Sequence, residues 1–171
     1  MEMSATQKVG QEIKKVRYRM GLTQKELGKL IGKSESQIGA YENASARFTK
    51  TGHAVTPKDT VIYENLVRME YLNQCGETKF PDDAMLDIRI KAYYTIPPSK
   101  PKKKKELMRA GIIRLTKKPD MDNCIKIIAD ALNKIAYHDD AQIVDCQVRK
   151  FYSDDPRVEV RILDIKPPVN K

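Results

Sequence analysis

The chain has no apolar run long enough to span a membrane, and its first residues, MEMSATQKVGQEI, lack the apolar core of a secretory signal. A cytoplasmic protein with no membrane partner is therefore expected. Cysteine is scarce: Cys75, Cys124 and Cys146 are far apart, odd in number and form no C-x-x-C pair. That excludes a disulfide framework and a thiolate metal site, so the three are expected to be reduced and structural, with Cys124 and Cys146 facing a core. The only two histidines, His53 and His138, are isolated and give no metal-ligand spacing. Internal repeats are absent too, which removes solenoid and propeller architectures.

What the chain has in excess is positive charge, +9 from 32 Lys and Arg against 23 Asp and Glu. The excess is not spread evenly. Residues 99–118 hold nine basic residues and one acidic one, and a second, smaller excess lies in residues 1–47. In IPPSKPKKKK, residues 96–105, Pro97, Pro98 and Pro101 are expected to keep the chain irregular, so that Lys100, Lys102, Lys103, Lys104 and Lys105 are presented as a loop. With Lys117 and Lys118 they make a block suited to a polyanion, although a solvated lysine loop is the plainer reading of a lysine run alone.

Carboxylates follow at once in KPDMDNCIKIIADALNKIAYHDDAQIVDCQV, residues 118–148. Pro119 biases Lys118 towards extended backbone, where side chains two apart share a side, so Asp120 and Asp122 are expected to point together. Ile125, Ile128, Leu132 and Ile135 recur at helical spacing from about Asp122, which leaves Asp122, Lys126, Asp130 and Asn133 on the opposite face. If the chain turns back between Tyr137 and Asp140, Asp139 and Asp140 converge with the first pair. An all-oxygen set of that kind suits Mg2+, with Mn2+ as an alternative, and leaves positions open for phosphate oxygens. Spacing alone leaves equally open that these are merely an acidic helix start and an Asp-rich turn.

From Thr6 to Asn43 the pattern predicts three short helices. Val9, Ile13, Val16 and Met20 line the first, which stops at Gly21. Thr23 with Glu26, and Ser34 with Gln37, are capping boxes opening the other two. Further on, Thr56, Pro57 and Asp59 signal a helix over 57–75. Residues 84–94, 141–151 and 157–164 alternate apolar and polar, as half-buried strands do.

KPDMDNCIKIIADAL, followed by AYHDDAQIV and RVEVRI, resembles the RusA family of Holliday-junction resolvases, over about Arg47 to Ile162. The resemblance implies Asp120, Asp122 and Asp140 as metal ligands, Asp139 as their neighbour, and Lys126 as the catalytic lysine. It also implies a DNA-contacting role for the basic block before the motif. GLTQKELGKLIGKSESQIGAYENA is similar to the helix-turn-helix of phage repressors and Xre regulators, which places the helix from Glu35 in a major groove with Gln37 facing DNA. That match is short, and the closing helices usual in such domains are expected to be missing.

The expected fold is α+β, a small sheet backed by helices at 57–75 and 123–136, behind a truncated helix-turn-helix-like segment of three helices. The expected division is residues 1–44, 45–165 and a tail at 166–171. The expected function is that of a Mg2+-dependent, structure-selective endonuclease of phage or prophage type. It would resolve four-way junctions by paired symmetric nicks in DNA recombination and repair, as a homodimer, without a small-molecule cofactor, and would be nucleoid-associated when bound. The alternative is a helix-turn-helix regulator whose C-terminal part only dimerises. A nuclease acting on branched or flap DNA with little junction selectivity is a third reading.

Overall fold

The computed structural model describes residues 3–43 and 58–167, without the side chains of Ala5, Lys58 and Asp59. The cap expected at Thr56 and Pro57, the start of the family resemblance at Arg47, and residues 168–171 lie outside them. Six helices and three strands follow in order among the described residues: α1 Ala5–Arg19, α2 Gln24–Ile31, α3 Glu35–Glu42, α4 Lys58–Cys75, β1 Leu86–Thr95, α5 Lys102–Arg109, α6 Met121–Leu132, β2 Ile143–Ser153 and β3 Arg157–Asp164. None of the described helices is long and apolar enough to cross a membrane. The α+β expectation holds.

Two compact units result. The first takes the described residues up to Lys79 with Ile127–Tyr137; the second takes Phe80–Lys126 and the described residues from His138 on. The boundaries fall after Lys79, inside α6 and after Tyr137.

In the first unit all three N-terminal helices open with a complete capping box, Ser4–Gln7, Thr23–Glu26 and Ser34–Gln37. Each reciprocal cap satisfies two amides that a helix start would otherwise leave open, for about 1 kcal/mol. Gly32, at φ 67°, ends α2 in the left-handed conformation that glycine adopts without strain. These helices are not short of partners, as the truncated match suggests. Ile13, Val16, Leu27, Ile38 and Tyr41 share one core with Ile62, Met69 and Leu72 of α4, and Ile135 packs against it. A helix from the part that reads as nuclease thus closes the helix-turn-helix. Fully burying each such aliphatic side chain contributes about 1.5–3 kcal/mol, so α4 supplies stability on the scale of a whole small domain.

A buried ion pair fixes the same unit. Arg17 donates to Glu42 through Nε at 2.6 Å and Nη2 at 3.1 Å, and to the Leu22 carbonyl through Nη1 at 2.9 Å. Gln24 Nε2 donates to the second Glu42 oxygen at 2.9 Å. The end of α6 is held likewise. Arg68 of α4 donates to the carbonyls of Ala131 and Asp130, a cation at the negative pole of the helix, and the buried Tyr137 hydroxyl donates to the Ala129 carbonyl. The helix ends at Leu132, four residues before the expected 136.

The second unit is built on a three-stranded mixed sheet in the order β2-β1-β3, with β1 parallel to β2 and antiparallel to β3. On β1, Leu86, Ile88, Ile90 and Ala92 are buried, as the alternation requires. The flanking strands alternate as expected but stay open. Val144, Val158 and Val160 are exposed, and so is Cys146, against the expectation that it faces a core. Edge strands in a narrow sheet have a neighbour on one side only, so alternation does not guarantee cover.

The lysine run is a helix, not a loop. Residues 97–101 are irregular, but α5 begins at Lys102 with Pro101 at its N-cap, where a missing N–H costs nothing. Lys, Glu, Leu, Met and Arg then supply strong helix formers. Met108 is buried, Arg109 is paired with Asp154 at 2.6 Å, and α5 lies against β2.

Candidate active site

Asp120 stands at the entrance of α6, where its carbonyl accepts from the Cys124 amide, and Asp122 is already in the first turn. The two therefore do not sit in one extended segment. Met121 is a good helix former and Asp120 a good cap, so the helix starts one residue early. Lys126 follows one turn after Asp122 on the same face. Asp120, Asp122 and Lys126 are all exposed.

What holds this entrance in place is a residue the motif does not contain. Lys150 of β2 reaches out so that Nζ donates to the Lys117 carbonyl at 3.2 Å and to the Pro119 carbonyl at 3.0 Å. One ammonium thus ties the segment Lys117–Pro119 to the sheet, leaving the Lys117 and Lys118 side chains exposed. On β1, Tyr94 Oη lies 3.5 Å from Cys124 Sγ, a second tie to the first turn of α6. In the sequence Lys150 is one lysine of a strand, and no local pattern marks it.

Asp139 and Asp140 lie at the other end of the sheet. Asp139 caps the short turn Asp140–Gln142, its Oδ1 accepting from the Ala141 amide at 3.0 Å. Gln142 returns Oε1 to the His138 and Asp139 amides and donates to the Pro81 carbonyl. This turn feeds β2 at Ile143, whereas Lys150, beside Pro119, is seven residues further along that strand. At about 3.3 Å per residue the two carboxylate pairs stand on the order of 20 Å apart in one chain. The chain does turn back after Tyr137, but the expected convergence does not occur within it. Among the described residues no group of three or more His, Cys, Asp or Glu side chains stands close enough to hold a metal ion.

The donor chemistry nevertheless fits a hard cation. Among the described residues the carboxylates of Asp120, Asp122 and Asp140 are exposed, and no hydrogen bond or ion pair engages them; Asp139 keeps one oxygen free. Carboxylate oxygens free of competing cations are what Mg2+ takes. Of the predicted DNA contacts, Lys100, Lys102, Lys103 and Lys104 are exposed, while Lys105 is half-buried. Gln37 is exposed, with its Oε1 committed to the Ser34 amide, so only its amide nitrogen is left to donate outward.

Comparison with known proteins places the chain in a family. The family model for endodeoxyribonuclease RusA matches residues 39–163, and a helix-turn-helix model matches residues 13–51. An uncharacterized protein of Bacillus subtilis strain 168, YqaN, is 38% identical over 115 residues, covering 66% of this chain and 80% of its own length. No solved structure matches the chain. With its acidic motif, its lysine and its sheet all inside the matched span, the chain belongs to the RusA family of endodeoxyribonucleases, with a helix-turn-helix at its front.

Proposed function

We propose that the protein is a Mg2+-dependent junction resolvase that nicks four-way DNA as a homodimer. The observation that carries this is the free Asp120 at the entrance of α6, with Asp122 and Lys126 on its first turns, within the span that matches endodeoxyribonuclease RusA. Asp120 and Asp122 of one chain and Asp140 of a second would hold the cation, with Asp139 beside it, since one chain keeps these carboxylates at opposite ends of its sheet. When bound, the cation supplies a nucleophilic water at neutral pH and Lewis acidity at the phosphoryl oxygen. The ammonium of Lys126 offsets charge developing on that phosphoryl group. Lys150 keeps Asp120 at the helix entrance, and the lysines of α5 draw the polyanion in. The exposed Val144, Val158 and Val160 give a second copy apolar surface to cover. Two sites related by a two-fold axis fit two symmetric nicks. Recombination and repair in a phage or prophage setting is the biological role this chemistry serves.

A second activity rests on the N-terminal unit. Its complete core and three capped helices support a folded helix-turn-helix, which on this reading would read duplex DNA with α3 in a major groove. The nuclease reading is tested by incubating the protein with a synthetic mobile four-way junction and with linear duplex, with and without Mg2+. Paired cuts in the junction alone, and only with metal, are expected. A protein that binds both but cuts neither is the regulator instead.

A further inference from the structure

One face of the sheet carries a charge pattern that the cutting site does not use. Register pairing places Arg89, Lys91 and Tyr93 of β1 beside Gln147, Arg149 and Phe151 of β2, and beside Arg161, Glu159 and Arg157 of β3. At the end where β1 and β2 begin the face is acidic, with Asp87 opposite Asp145; from Arg89 onward it is basic. Besides Asp87 with Asp145, two basic pairs stand in direct register, Lys91 with Arg149 and Arg89 with Arg161. Like charges directly opposite across strands destabilise a sheet, and within the chain only Glu159, in register with Lys91, and Asp87, beside Arg89, offset them. Arg89 is paired with Asp87, and Glu159 is already held by Arg157. Lys91, Arg149 and Arg161 are exposed, and among the described residues no ion pair engages them.

Beyond this patch the same face carries an aromatic pair. Tyr93 and Phe151 stack at 5.4 Å between centroids, tilted by 21°. The Arg157 guanidinium covers the Tyr93 ring at 4.0 Å and the Arg114 guanidinium covers Phe151 at 4.4 Å. The two ends of this stack differ. Arg157 is fixed by Glu159 and Asp155, whereas Arg114 is exposed and has a single bond, 3.3 Å from Nε to the Gly111 carbonyl. The Phe151 end can therefore open. Exposed sheet faces that combine cations for a backbone with aromatic rings for bases are suited to unpaired strands, and a base sandwiched between a ring and a guanidinium gains from both.

We propose that this face binds an unpaired DNA strand, its phosphates on Lys91, Arg149 and Arg161 and one base between Phe151 and Arg114. The inference rests on the reading of the protein as acting on branched DNA, whose centre offers unpaired nucleotides, but it concerns binding and not cutting. It is tested in metal-free buffer with a short oligothymidylate carrying one 2-aminopurine, so that failure to cut junctions does not bear on the result. Replacing Lys91, Arg149 and Arg161 together by Gln should flatten the slope of log affinity against log salt by about 2, at roughly 0.7 per single-strand phosphate contact. Without DNA the same triple variant should melt at a higher temperature than the parent, because the like-charge pairs are gone. Phe151→Leu and, separately, the surface change Arg114→Ala should lose the quenching of 2-aminopurine fluorescence while the salt slope stays. An unchanged slope in the triple variant, or quenching that survives both Phe151→Leu and Arg114→Ala, would overturn the proposal.

Discussion

Arg17 and Glu42 show at single-residue scale how the helix-turn-helix is held. Burial pushes the Glu42 carboxyl up, but the hydrogen bonds from Arg17 and Gln24 outweigh it and hold it below its ordinary value of 4.5. A depressed carboxylate contributes stability that is whole above the ordinary value and is lost as pH falls through the lower, folded-state one. Acid unfolding followed by circular dichroism should therefore lose a component below pH 4.5 that is missing in Glu42→Gln. Glu42→Ala leaves Arg17 buried without a partner and should cost about 3–5 kcal/mol in urea unfolding, while the double change to methionines should cost less than either single one. The candidate site was legible at this scale where chemistry lies in a local motif: Asp120, Asp122 and Lys126 stand free at a helix start. Lys150 was not legible, because its role comes from two carbonyls some thirty residues earlier in the chain. Lys150→Ala should lower the single-turnover rate by on the order of a hundredfold at saturating DNA, with recovery in Lys150→Arg, since a small misplacement of reacting groups is that costly. A rise in KM alone would make it an ordinary phosphate contact. Lys126→Ala should likewise lower the rate about a hundredfold with little change in binding.

At the scale of elements, α4 and α5 carry the differences from what the pattern suggested. Apolar spacing shows that a helix buries a face but not whose face it meets, so the share of α4 in the helix-turn-helix core was not legible. Proline placement misled in the other direction. Pro97, Pro98 and Pro101 do keep the chain irregular, but only up to the cap, and the lysines after Pro101 stand on a helix. On a helix of eight residues they spread round the axis, so they cannot all face one strand. Neutralising Lys102, Lys103, Lys104 and Lys105 should flatten the salt dependence of duplex binding by about 1–2, less than four full contacts at roughly 0.9 each. Deleting residues 1–43 would strip Ile62, Met69, Leu72 and Ile135 of their partners. Thermal melting of the shortened chain should show a lower Tm or aggregation, where a detachable front domain would leave it unchanged.

For the whole molecule, the decisive fact is that one chain separates its carboxylates. Sequence spacing brings Asp120 and Asp140 within one short stretch, and the turn after Tyr137 suggests that they meet. The parallel pairing of β1 and β2 prevents it, because β2 starts at the end of the sheet away from Pro119, and strand direction is set by tertiary packing rather than by a local signal. On the proposed reading, a second copy supplies what one chain lacks. The measurement that tests this most directly uses two inactive proteins, Asp120→Asn and Asp140→Asn, each purified alone, then mixed and allowed to exchange chains on a four-way junction with Mg2+. In a mixed dimer one site loses both carboxylates and the other keeps both. Each variant alone should bind the junction without cutting it, and the mixture should nick one strand without the paired second cut. A mixture that stays inactive under conditions in which the parent cuts and the chains are shown to exchange, or either variant cutting alone, would contradict the account.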